Sequence, residues 1–191
     1  MRKELTKRIL SSIILIPITL FFIIKGSFLF NFFILICLGL ISYEWHMMSK
    51  RKTYRIFGFI FLFLSFYSIY RLRIDNDYLS ILFITIICVS TDIGGYVFGK
   101  IFKGPKLTKY SPNKTYAGMI GGYLLSIISA IIFSNFYFTT EIQIGLFIFI
   151  ILISTTSQFG DIVISYFKRS SKIKDTGKII PGHGGLLDRA D

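Results

Sequence analysis

Three carboxylates interrupt stretches that are otherwise apolar: Glu44 beside Trp45, Asp92 in TDIGG and Asp161 in STTSQFGD. A carboxylate within a membrane-length apolar run is expensive and rarely faces lipid, so each is a candidate functional group. Carboxylates bind hard cations such as Mg²⁺ through oxygen, and Lys and Arg bind phosphate oxygens. Lysines stand close by in sequence, at Lys100, Lys103, Lys106, Lys109 and Lys114, and again from Lys168 onwards. The combination suits a phosphorylated lipid meeting a soluble phosphorylated partner. Asp92 and Asp161 have small, polar neighbours and are the stronger candidates. Glu44 is expected to snorkel at the interface and to matter little to turnover. Gly94, Gly95 and Gly160 flank the two aspartates and allow close approach of backbone or ligand. Gly118 and Gly122 form a small-xxx-small pair suited to helix packing.

These groups must be positioned by membrane helices. Of 191 residues, 53% are hydrophobic and 17% charged, against roughly 25% charged in soluble domains. A soluble globule, a disordered chain and a disulfide scaffold are all excluded. Cys37 and Cys88 lie inside apolar runs and read as core residues. The aromatic excess reads as lipid-facing bulk. Six segments approach spanning length, at about 9–24, 28–43, 56–70, 79–98, 116–134 and 142–167. The first follows MRKELTKR but has no small-residue cleavage site after it, so it reads as an uncleaved span. The segments between spans that share one side of the membrane hold 19 of the 22 basic residues; only Lys25, Arg71 and Arg73 fall on the other. By the positive-inside rule both termini are cytoplasmic. The fold expected is an all-α polytopic helical bundle of about six spans, one integral membrane domain over 1–191 with 168–191 as a cytoplasmic tail. Glu44, Asp92 and Asp161 then all lie towards the cytoplasmic ends of their spans. One-sided acids and the absence of an inverted repeat weigh against an ion-coupled transporter.

The tail from Ser165 to Asp191 reads SYFKRSSKIKDTGKIIPGHGGLLDRAD. A basic flank that only touches anionic lipid has no use for PGHGG, whose glycines permit tight turns around a polar ligand, or for Asp188 beside Arg189. The tail closely resembles the signature of the phosphatidate cytidylyltransferase (CDP-diacylglycerol synthase) family. The resemblance is carried by Ser165, Phe167, Lys168, Arg169, Lys174, Asp175, Gly177, Pro181, His183, Gly184, Gly185, Asp188, Arg189 and Asp191. The stretch from Asp92 to Gly118 is similar to the family's middle region, and SPNKTYAG carries its Ser-Pro-x-Lys-Thr motif. The first half matches only as apolar spans. Ala190 stands where a larger aliphatic residue is usual, and family members usually continue into a further hydrophobic segment, so a truncated, inactive homologue is one alternative.

The resemblance implies condensation of CTP with phosphatidic acid to CDP-diacylglycerol and pyrophosphate, at a site facing the cytoplasm from the inner membrane. The nucleophile is a lipid phosphate oxygen, already ionised, so the chemistry needs positioning and charge neutralisation and no general base. Asp161 and Asp188 are expected to hold Mg²⁺, with Asp92 as a further ligand. Lys168, Arg169, Lys174 and Arg189 are expected to clamp phosphates and His183 to hydrogen-bond one. Lys114, with Ser111 and Thr115, is expected to bind substrate. Expected partners are CTP, phosphatidic acid and membrane lipids, with a second copy of the chain as a further candidate and no nucleic acid. The nearest rival is a CTP-dependent lipid or polyprenol kinase.

Overall fold

A computed structural model describes residues 2–50, 53–137, 144–177, 179–180 and 184–190. Its helices are α1 (Arg2–Lys25), α2 (Ser27–Met48), α3 (Arg55–Asp75), α4 (Tyr78–Phe102), α5 (Tyr116–Tyr137), α6 (Ile144–Ser170) and the short α7 (Leu187–Ala190). The described residues otherwise contribute only two isolated β-bridges, so the all-α expectation holds. Five helices, α2 to α6, are long and apolar enough to cross a membrane. The remaining expected span, α1, is apolar only over Leu10–Lys25. It begins seven residues before the expected start because Arg, Lys, Glu and Leu are good helix formers even where they are too polar for lipid. Large apolar side chains point outwards along the helices, among them Phe28 at 76% exposure and Phe136 at 80%. Such a surface is a liability in water and ordinary in hydrocarbon. The chain is an all-α, polytopic membrane protein.

Two compact units can be described, each by itself. The first comprises residues 1–78 and 167–191. Between α1 and α2 the chain turns at Gly26, with φ of 62°. The Arg73 Nε–H near the end of α3 donates to the carbonyl of Ile23, 3.3 Å away, at the open end of α1. At the end of α2, the Trp45 Nε1–H donates to the carbonyl of Arg55 (3.0 Å). The Trp45 ring meets Phe167 edge-on at 5.2 Å, and the Tyr54 hydroxyl lies 3.0 Å from Ser171 Oγ. The root of the tail is thereby fixed against the α2–α3 turn. Helix α6 ends in a Schellman arrangement: Ile173 N–H donates to the carbonyl of Lys168 and Lys172 N–H to that of Arg169, with Lys172 in the left-handed region at φ 57°.

The second unit, residues 79–166, is built on close helix contact. Gly118, Gly122, Ser126, Ala130 and Ser134 recur at every fourth position of α5, and all are buried. The small-residue pair read from the sequence is thus the start of a stripe five members long. A Cβ at Gly118 would sit 2.6 Å from the carbonyl oxygen of Gly95 on α4, so only glycine lets the two backbones approach this closely. Around Ala130 of the stripe, Phe83 and Ile87 of α4, Phe133 of α5 and Ile150 of α6 form an apolar core. The Thr91 hydroxyl lies 2.9 Å from Ser154 Oγ and joins α4 to α6.

Candidate active site

In the second unit the loop between α4 and α5 is closed by an antiparallel bridge between Lys106 and Thr115. Leu107 N–H donates to the Lys114 carbonyl (2.8 Å), and Tyr116 N–H to that of Pro105 (3.2 Å). Ser111 N–H donates to Thr108 Oγ1 at 3.1 Å, and Ser111 returns its carbonyl to Lys114 N–H. Thr115 caps α5, its Oγ1 accepting the N–H of Gly118 at 3.1 Å. This closed loop delivers Lys114 onto the carboxylate of Asp161, late in α6, in a half-buried ion pair. Tyr110 meets Tyr166 edge-on at 4.9 Å, a second contact between the loop and α6. Of the residues expected here, Ser111, Lys114 and Thr115 share one loop and Lys114 meets Asp161. Asp92 lies on an exposed part of α4.

In the first unit the tail is organised around two carboxylates. Lys168 Nζ–H donates to Asp188 Oδ1 at 2.8 Å, and the Asp188 side chain is only 6% exposed. Asp188 Oδ2 accepts Thr176 N–H (2.8 Å) and Gly185 N–H (3.0 Å), with the Thr176 hydroxyl also 3.0 Å away. Burial alone pushes the Asp188 carboxyl up. The hydrogen bond from Lys168, the two N–H donors and the Lys168 charge outweigh it and hold the carboxyl below its ordinary value.

The second carboxylate is Glu44, and here the structure corrects the sequence reading. Glu44 is buried at 2% exposure, not snorkelling at an interface. Its Oε1 accepts Leu186 N–H (2.9 Å) and its Oε2 accepts Leu187 N–H (2.8 Å), satisfying donors at the start of α7. The Thr176 hydroxyl is 3.1 Å from Glu44 Oε2, so one hydroxyl proton is shared between Glu44 and Asp188. A Cβ on Gly185 would collide with both Thr176 Oγ1 and Glu44 Oε2, which explains the glycine. Thr176 was the other residue missed. Its position between Asp175 and Gly177 of the signature was the one available signal. Arg169, Lys174 and Arg189 are exposed on this unit. His183 lies outside the described residues. Asp161 and Asp188, expected to act together on a metal, belong to different units.

Three residues of the sequence signature, Lys168, Gly185 and Asp188, thus meet in the tail's hydrogen-bonded centre. Residues 56–191 match the profile of the Cytidylyltransferase family. The chain belongs to the cytidylyltransferase family. It is 37% identical over 203 residues to the phosphatidate cytidylyltransferase of Rickettsia bellii, covering all of this chain and 86% of that relative. The phosphatidate cytidylyltransferase of Staphylococcus haemolyticus is 36% identical over 82% of this chain and 63% of its own length. That of Helicobacter pylori is 34% identical over 71% and 51%. The family profile takes in the Lys114–Asp161 pair and the tail centre, and leaves Glu44 outside its matched residues.

Proposed function

We propose that this chain transfers a cytidylyl group from CTP to phosphatidic acid, forming CDP-diacylglycerol and releasing pyrophosphate. The observation that carries the reading is the convergence of Lys168, Thr176 and Gly185 on Asp188 in a chain 37% identical over its full length to a named phosphatidate cytidylyltransferase. A lipid phosphate oxygen attacks the α-phosphorus of CTP, the bond from that phosphorus to the pyrophosphate oxygen breaks, and pyrophosphate leaves with the electron pair. The attacking oxygen is anionic at neutral pH, so the protein supplies position and positive charge. Lys114 and Lys168 supply charge from held positions, each fixed by a carboxylate. Arg169, Lys174 and Arg189 supply it from exposed ones, and Ser111 and Thr115 offer hydroxyls beside Lys114.

The carboxylates suit a hard cation. Among the described residues no three His, Cys, Asp or Glu side chains converge. Mg²⁺ commonly takes one or two protein carboxylates and completes its shell with substrate phosphates and water. Asp161 is a half-buried carboxylate of this kind, and Asp188 keeps one acceptor position on Oδ1. Each is proposed as a donor to Mg²⁺, with Asp92 as a further one. Bound there, the ion supplies Lewis-acid charge neutralisation at the phosphates.

The test is direct: the purified full chain is incubated with α-labelled CTP, Mg²⁺ and phosphatidic acid. Label should enter the lipid as CDP-diacylglycerol with one pyrophosphate released per turnover. Transfer of the γ-phosphate with release of CDP would make it a kinase, and no turnover would reject the assignment.

We further propose that the site faces the cytoplasm. In a chain with Cys37 and Cys88 replaced, Lys106→Cys and Lys174→Cys should be labelled only from the cytoplasmic side, and Asp77→Cys and Asn135→Cys only from outside. Labelling of Lys174→Cys from outside would overturn the orientation.

A further inference from the structure

Glu44 is a buried carboxylate outside the signature, and the hydrogen-bond donors it meets among the described residues all belong to the tail. Its two oxygens accept two consecutive backbone N–H groups, of Leu186 and Leu187, and a hydroxyl, of Thr176. No Lys or Arg pairs with it among the described residues, so these three donors hold it in place. Two further features fit the tail closely around this side chain. Gly177 and Gly185 both lack a side chain where a Cβ would press on Glu44. Thr176 divides one proton between Glu44 and Asp188, so any displacement of Glu44 passes directly to the carboxylate that holds Lys168.

We propose that Glu44 is a positioning residue for the transfer reaction: from the end of α2 it holds Thr176 and the start of α7, and through them sets the position of Asp188 and Lys168. This rests on the cytidylyltransferase reading above. Among the described residues, Glu44 makes no hydrogen bond or ion pair with the side chains proposed to hold phosphate. Its loss should therefore disturb the reacting geometry more than the binding of CTP, because misplacement of a catalytic group by about 1 Å costs on the order of a hundredfold in rate. Glutamine keeps the shape and replaces one acceptor oxygen with a donor. Its NH₂ group must then face either Leu186 N–H or Leu187 N–H, donor against donor.

The experiment combines kinetics with hydrogen exchange on the full chain in detergent. Glu44→Gln should lower kcat at least about tenfold while KM for CTP moves less than about threefold. Exchange at the amides of Leu186 and Leu187 should rise at least about tenfold, with no change in α4 to α6. Thr176→Val should reproduce the loss, Thr176→Ser should restore most of the rate, and Glu44→Gln with Thr176→Val should be no worse than either alone. A kcat within about twofold of wild type in Glu44→Gln, additive losses in the double variant, or unchanged exchange at Leu186 and Leu187 would each overturn the proposal. A wild-type chain that does not turn over CTP would reject the proposed activity, and the exchange measurement would still decide whether Glu44 holds the tail.

Discussion

Asp188→Asn is expected to lower kcat/KM for CTP by at least about a hundredfold, ~2.7 kcal/mol of transition-state stabilisation. Asparagine has the right shape but one acceptor oxygen in place of two. If that oxygen takes the Oδ2 position, its NH₂ faces the Lys168 ammonium, whose side chain is 15% exposed. Turned the other way, the NH₂ faces the N–H groups of Thr176 and Gly185. Either arrangement leaves a buried donor unsatisfied, at about 1–3 kcal/mol, and leaves Lys168 without its counter-ion. Loss of thermal stability in detergent should accompany the loss of rate. A folded variant with near-wild-type turnover would remove Asp188 from the chemistry. The lowered pKa also sets a pH dependence. A carboxyl depressed by folding contributes stability that is fully present above its unfolded value, about 3.9, and lost as pH falls through the lower folded value. Tail protection, corrected for intrinsic exchange rates, should therefore stay flat from about pH 8 to 5 and fail only below about pH 4. A loss centred near pH 6 would mean that another group controls the tail.

The second large effect is expected at the Lys114–Asp161 pair. Lys114→Gln and Asp161→Asn should each lower kcat/KM at least about a hundredfold, and the exchanged pair, Lys114→Asp with Asp161→Lys, should stay below about 1% of wild type. The exchange separates two accounts. The side chains are 29% and 21% exposed, so as a simple tie the pair is worth on the order of 1 kcal/mol, and reversing both charges should restore that tie. A lysine presented to phosphate and a carboxylate presented to a cation cannot trade places. Recovery of thermal stability without recovery of rate is the expected outcome. Recovery of both would reduce the pair to a structural clasp between the loop and α6.

The spans were legible because their signal is local: about 20 apolar residues announce a helix whatever surrounds them. Where local signals conflicted the boundary slipped, as at α1, whose first turns are helical but too charged for lipid. Asp161 and Lys114 were legible singly, as an acid in an apolar run and a lysine in a turn-rich motif. Their meeting depends on the folding of the intervening loop and on α6, and neither residue advertises it. Asp188 was legible as part of the signature, but its use of Oδ2 on two backbone N–H groups was not. Glu44 was misread for the same reason. Its partners include the backbone N–H groups of Leu186 and Leu187, which every residue but proline possesses, and they lie more than 140 residues away. Beside Trp45 at the end of a span, the sequence offered only the picture of an interfacial acid.

That separation has a consequence for how the chain is made. Leu187 follows Glu44 by 143 residues. At about 5–20 residues per second the ribosome delivers Glu44 roughly 7–30 s before its partners exist. A carboxylate abandoned in hydrocarbon for that long would protonate or drag water in, so the end of α2 must idle at the aqueous boundary while the other spans insert. The hydrogen bonds that bury it form only once the tail emerges. The last step in the biogenesis of the first unit therefore waits for the tail, with Glu44 as the latch for a segment synthesised long after it.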